Sequence, residues 1–185
     1  FCPAEAIDFP RRVCGKWYIS RTRFGPMVHA ALGIAEENSG LLVSLVRNKA
    51  KELAKEQGRD MILVDGPPGI GCPVIASVTG TDAVLIVTEP TLSGLHDLRR
   101  VGELTDHFKI PTLACINKFD LNQEVSQQIA DHCQKYGITL LGNIPYSKSV
   151  THAMVAGKSI VEYAQDDTSD AIRTLWGQLK EYCEA

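Results

Sequence analysis

An α/β domain, with a parallel sheet and helices on both of its faces, is predicted for residues 16–185 on two observations. Short, continuously apolar runs at Met61–Val64, Ala83–Val87, Thr112–Ile116 and from Thr139 through Ile144 have the pattern of strands buried on both faces. Segments of helical period lie between and after them, at about 73–79, 92–108, 122–136, 149–156 and 168–183. Strand and helix alternate through most of the chain, which favours parallel pairing because each crossover helix returns the next strand in the same direction.

Two elements precede this alternation. Residues 16–34 read as two extended segments joined by a turn at Gly25-Pro26, a hairpin. From Ser39 to Gln57 the apolar positions Leu41, Leu42, Leu45, Val46, Ala50, Leu53 and Ala54 recur at three and four, with Ser39 as a cap and Gly58 as a stop. This is an amphipathic helix.

The chain has 185 residues, 44% hydrophobic and 22% charged, enough for one core. Lys plus Arg number 19 against 22 Asp plus Glu, a formal charge of −3 with the signs interspersed, so the basic patch of a dedicated nucleic-acid binder is missing. No apolar run reaches the length of a membrane span, and the expected location is the cytoplasm. The six cysteines, Cys2, Cys14, Cys72, Cys115, Cys133 and Cys183, form no Cys-x-x-Cys and no regular framework, which argues against a disulfide scaffold. The chain opens Phe1-Cys2-Pro3 without methionine and is expected to be part of a longer protein.

Every predicted strand ends in a polar or turn-forming group: Asp65-Gly-Pro-Pro-Gly69, Thr88-Glu-Pro-Thr91, Asn117-Lys-Phe-Asp120 and Pro145-Tyr-Ser-Lys148. Ligands of open α/β sheets bind outside the carboxyl ends of the strands. An Asp at the end of a buried strand suits Mg²⁺, a hard cation that takes carboxylate and water oxygens, and the glycines after it suit a loop approaching a γ-phosphate. Asp65 as a simple turn residue is the competing reading. In Asn117-Lys118-x-Asp120 the amide offers paired donor and acceptor groups to a base edge, the Lys stem can cover the base, and Asp120 would accept from guanine. Asp120 or Asn122 could equally cap the following helix. No Gly-x-x-x-x-Gly-Lys-Ser/Thr loop occurs: Ala156-Gly157-Lys158-Ser159 matches only its tail, has His152 where the first Gly belongs and follows a predicted helix.

The runs Asp65–Val74, Val87–Leu98, Asn117–Asn122, Ile144-Pro-Tyr146 and Gly157-Lys-Ser-Ile160 together resemble the MinD/ParA-type P-loop ATPases that carry an inserted ferredoxin domain. The resemblance implies a nucleotide-switched homodimer that binds ATP and Mg²⁺, with [4Fe–4S] clusters in the full-length protein and an iron–sulfur or redox client. It implies that residues 1–15 are the tail of the ferredoxin-like insertion, with Cys2 a cluster ligand, and that 16–185 follow it. Asp65 resembles the magnesium-linked Asp, Gly66 to Gly69 the γ-phosphate sensor, Asn117 the adenine-recognising Asn, and Pro145 and Tyr146 the loop closing over the base. Ser147 stands where relatives often place Asp. Cys72 sits at the offset from Asp65 at which the distantly related nitrogenase iron protein holds a cluster cysteine; a small buried helix-start residue is the alternative.

The resemblance also implies a phosphate-loop strand between the 61–64 and 83–87 strands. Its absence from these residues leaves a gap that the two strands, the N-terminal segment or a neighbouring chain would fill. The leading functional expectation is an ATP-dependent protein of iron–sulfur or metal chemistry, with residues 1–185 inactive alone. A GTPase reading through Asn-Lys-x-Asp, and a non-catalytic dimerisation or regulatory module, are the alternatives.

Overall fold

The computed structural model describes residues 13–34 and 40–184. The chain divides into two compact units, the first running through Pro67 and including Gly71–Ser77, the second made of Pro68–Ile70 and everything from Val78 onward.

In the first unit, β1 (Gly15–Thr22) and β2 (Gly25–Leu32) form an antiparallel hairpin in which Trp17 opposes Ala30, and Tyr18 opposes His29. The turn falls at Arg23-Phe24, ahead of the expected Gly25-Pro26, which instead open β2. The Thr22 hydroxyl is the cause: it donates to the Gly25 carbonyl at 2.7 Å and accepts from the Phe24 amide at 3.2 Å, closing the loop early. The Tyr18 and His29 rings stack at 5.4 Å, and the Ser20 hydroxyl bonds the imidazole Nε2 at 2.8 Å.

The predicted helix is α1 (Gly40–Glu56), and its proposed cap, Ser39, lies outside the described residues. Gly58, at φ +60°, ends it in the left-handed region, where the Arg59 amide returns to the Ala54 carbonyl at 2.9 Å. At its other end a side chain on Gly40 would meet the Cys72 carbonyl at 3.0 Å, so the absence of a Cβ lets α1 approach α2 (Cys72–Val78) closely. Arg47 Nη1 donates to the Ala76 carbonyl across the same contact, at 2.6 Å.

Met61–Val64 was expected as a buried strand and is not one. The segment has no ladder partner, and Leu63 is 77% exposed. A strand exists only by pairing, and this run takes part in neither of the two sheets among the described residues.

The second unit is built on a parallel sheet of order β3 (Val84–Thr88), β4 (Thr112–Asn117), β5 (Thr139–Ile144). The crossovers are α3 (Leu92–His107) and α4 (Gln123–Lys135), the latter preceded by a single 3₁₀ turn over Phe119–Leu121. After β5 come α5 (Lys148–Val155), α6 (Ile160–Tyr163) and α7 (Asp167–Glu184), and α7 packs on β5. Only the central strand is buried as the sequence predicted: Leu113 to Ile116 are at most 1% exposed. On one face Ala114 and Ile116 pack with Leu95 and Leu98 of α3 and with Ile129 and Cys133 of α4.

Among the described residues no strand lies beside the outer edge of β3, whose Val87 is 61% exposed. Of the three expected ways to fill the gap, pairing of the 61–64 and 83–87 runs with one another is not found among the described residues. The polar interior is satisfied instead of avoided. Thr105, fully buried, donates to the Val101 and Gly102 carbonyls at 3.0 Å and accepts from Thr112 at 2.7 Å, and no buried described side-chain polar atom lacks a partner.

Candidate functional site

Parallel pairing brings the carboxyl ends of β3, β4 and β5 to one rim, and the polar residues after them meet there. Asn117 is the last residue of β4 and pairs in register with Ile144 of β5. The next residue, Lys118, adopts φ 55° and ψ 39°, a left-handed conformation that turns the chain sharply out of the sheet. For a residue with a Cβ this costs roughly 1–2 kcal/mol, so something must hold it. Two contacts do. Lys118 Nζ reaches Glu89 Oε1, just past β3, at 2.7 Å, and the Ser126 hydroxyl of α4 donates to the Phe119 carbonyl at 2.8 Å.

The 3₁₀ turn then presents Asp120. Its Oδ1 accepts the backbone N–H of Tyr146, 26 positions away, at 2.8 Å. Asn122, not Asp120, caps α4, accepting from the Val125 amide at 3.1 Å. Of the two capping readings the sequence left open, this settles on Asn122. Pro145, the neighbour of Tyr146, has its carbonyl within 3.5 Å of the Thr168 hydroxyl at the start of α7. Asn117, Lys118, Asp120, Pro145 and Tyr146 are therefore brought to one rim.

The same loop runs on into a polar cluster. The Ser147 hydroxyl caps α5 by accepting from the Ser149 amide at 3.1 Å. Asp166 precedes α7; its carboxylate accepts from the Ser169 amide at 2.9 Å, and its backbone N–H donates to the Ser169 hydroxyl at 3.1 Å. The Ser169 backbone bond, followed by the hydroxyls of Ser149 and Ser147, holds the Asp166 carboxyl below the usual carboxylate range. Neither Glu89 nor Asp166 was singled out as a site residue from the sequence. Their partners are distant in the chain, so no periodicity marks them; only the rule that polar residues gather at strand ends pointed to Glu89.

Asp65 and Cys72 belong to the first unit. Asp65 is exposed in the extended segment after Val64, and Cys72 is exposed as the first residue of α2. Gly69 stands at φ +86°, a conformation that requires glycine in this loop. Gly157, at φ +64°, turns the chain after α5, and Ser159 caps α6 together with Glu162; this is a helix connection and not a phosphate loop.

The donor sets differ in what they fit. An amide at a strand end beside an exposed phenol ring fits a purine, whose edge takes paired hydrogen bonds and whose face stacks. An exposed carboxylate at position 65 fits magnesium. A cluster is not fitted by the described residues: no group of three His, Cys, Asp or Glu among them could hold a metal ion, and Cys2 lies outside them.

A three-stranded parallel sheet with crossover helices and a polar rim at its carboxyl edge defines an open α/β protein, the class whose ligands bind outside the strand ends. The family model described as "ParA: NUBPL iron-transfer P-loop NTPase" matches residues 45–180, and the chain belongs to this ParA family of P-loop NTPases. An uncharacterized protein of Methanocaldococcus jannaschii, MJ0578, is 29% identical over 157 residues, covering 85% of this chain and 51% of that protein. The chain spans about half the length of the curated relatives it matches first. Among solved structures, the MinD cell division protein of Aquifex aeolicus aligns at TM-score 0.64 and 25% identity, over 76% of this chain and 62% of that one. MinD of Pyrococcus horikoshii, solved in complex with Mg-ADP, aligns at TM-score 0.58 and 20% identity, over 74% and 55% respectively. No helix among the described residues is long and apolar enough to cross a membrane.

Proposed function

We propose that these residues supply the base-recognition end and the magnesium-linked switch of an ATP-dependent, iron–sulfur-associated ATPase that works as a nucleotide-switched homodimer. The observation that carries the reading is Asn117, poised at the end of β4 on the rim it shares with Tyr146. Membership of the ParA family and the Mg-ADP bound by the Pyrococcus relative support it.

In this reading Asn117 pairs with the adenine edge, Tyr146 and Pro145 cover its face, and Lys118 stays with Glu89. Asp65 orients magnesium through its carboxylate, and in the loop from Gly66 to Gly69 the two glycines, unlike Pro67 and Pro68, carry backbone N–H groups that can donate to the γ-phosphate. Magnesium, when bound, neutralises charge developing on the transferred phosphoryl group. The chain's own contribution is positioning: the transition state is loose, so aligned donors do most of what a protein can do for it.

Replacing Asn117 with Ala in the native gene product is expected to weaken ATP binding about tenfold, the value of a paired set of hydrogen bonds. Unchanged ATP affinity refutes the assignment. Residues 1–185 alone contain no phosphate loop and are expected to release negligible phosphate from ATP and Mg²⁺ in a malachite-green assay; robust turnover contradicts this.

The iron–sulfur association rests on the family's iron-transfer description and on two thiols, Cys2 and Cys72. Cys72, exposed beside the switch loop in sequence, is the testable one. Loss of visible absorption in the reconstituted native protein on Cys72→Ser supports a metal role for it, and unchanged iron content and spectrum remove it.

A further inference from the structure

We infer that Asp120 is a positioning residue for the base-binding loop, and that its carboxylate is spent on the Tyr146 amide and does not read a guanine. The inference rests on the nucleotide reading above and sharpens its base specificity.

Asp120 has no helix to cap, because Asn122 fills that place 3.1 Å from the Val125 amide. Its position is nevertheless tightly determined. The turn that carries it starts at left-handed Lys118, tied to Glu89 at 2.7 Å, and is held from behind by Ser126 on the Phe119 carbonyl. The product of these constraints is one contact across the rim, Oδ1 to the Tyr146 N–H at 2.8 Å. A hydrogen bond from N–H to a carboxylate is charge-assisted and stronger than a neutral one.

The recipient loop is anchored at both ends, by the pairing of Ile144 with Asn117 and by the Ser147 cap of α5, and the Asp120 bond falls between these anchors. Pro145 contributes no N–H, and its carbonyl has only the long 3.5 Å contact with Thr168. Tyr146 is about half exposed, so packing does not immobilise its ring. The Asp120 bond is thus a short, directional contact to the backbone from which the Tyr146 ring projects, across the rim from Asn117 on the neighbouring strand end. Guanine recognition by Asn-Lys-x-Asp needs both carboxylate oxygens facing the base, for the N1 and N2 donors together. In this structure one of the two, Oδ1, already accepts the Tyr146 amide, so a guanine would have to share that oxygen. Asn117 offers one donor and one acceptor, which match adenine's N6 and its neighbouring ring nitrogen.

Two variants separate the roles. Asp120→Ala removes the acceptor, whereas Asp120→Asn keeps a carbonyl oxygen in its place while destroying the double acceptor that guanine requires. In the native gene product without nucleotide, hydrogen–deuterium exchange at the Tyr146 amide should speed up about tenfold in Asp120→Ala and stay near wild type in Asp120→Asn, as one lost hydrogen bond implies. With fluorescent ATP and GTP analogues, Asp120→Ala should weaken ATP several-fold, Asp120→Asn should restore it, and the preference for ATP should persist in both. Unchanged Tyr146 exchange in Asp120→Ala overturns the latch. Faster exchange with undiminished ATP affinity overturns the positioning role while leaving the ATP reading intact. A wild-type preference for GTP that Asp120→Asn abolishes overturns the inference in favour of guanine readout. Binding of neither nucleotide by the wild type overturns the functional reading, and the positioning role with it, even where the exchange data support the hydrogen bond.

Discussion

The thiols of Cys115 and Cys133 differ from that of Cys72 in the property that decides reactivity, the access of water to the sulfur. Cys115 sits in the middle of β4 at 1% exposure, and burial pushes its pKa up to about 11. Cys133, on the inner face of α4, is raised by burial as well. The thiolate is the nucleophile, so a raised pKa and a closed path act in the same direction. Brief treatment of the native fold with iodoacetamide at neutral pH is therefore expected to label Cys72 and Cys183 and to spare Cys115 and Cys133. Mass spectrometry after digestion reads the outcome; labelling of Cys115 without denaturant would mean that β4 is not the closed centre of the sheet. The same sites divide what composition could foresee. An apolar strand around Cys115 predicted burial, while nothing around Cys72 distinguished an exposed helix start from a buried one.

At the scale of elements, the start of α7 makes a pH-dependent contribution. Asp166 accepts the Ser169 amide and the hydroxyls of Ser149 and Ser147, which favour its charged form and lower its pKa in the folded state. A group depressed in this way stabilises the fold above its unfolded pKa, near 3.9, and loses that contribution as pH falls through the folded value. Urea midpoints followed from about pH 5 to pH 2 should fall less steeply in Asp166→Asn than in wild type, with little divergence in slope above pH 5. Parallel acid limbs would show that the carboxylate gains nothing from its partners.

The elements also show where sequence reading succeeds and where it stops. The helices α3 and α4 and the strand β4 were legible because a single pattern, apolar period or apolar run, determined each. Met61–Val64 carries the same kind of run and forms no strand, since hydrophobicity encodes an appetite for burial and not the partner that satisfies it. Asn117 and Tyr146 were legible from their place at strand ends; the bond between Asp120 and Tyr146 was not, because it depends on a left-handed lysine and a distant glutamate.

For the whole molecule, burial is unequally shared between the two units, and this has a measurable consequence. In the first, α1 buries no residue fully and the hairpin is largely exposed; a two-stranded hairpin is marginal in water without further packing. In the second, Leu98, Leu113, Ile116 and Ile129 are all within 1% of complete burial. Each fully buried side chain of this size contributes about 1.5–3 kcal/mol, so the difference amounts to several kcal/mol. The two tryptophans report on the units separately, Trp17 in β1 and Trp176 in α7, and both are 42% exposed, so either can be replaced without opening a core. Fluorescence of Trp176→Phe, which retains Trp17, should show a urea transition at lower concentration than that of Trp17→Phe, which retains Trp176. Two separated midpoints, each shared with only part of the circular-dichroism change, are expected of units with independent cores. Coincident midpoints would mean that the first unit draws its stability from the second, and that the chain unfolds as one cooperative body.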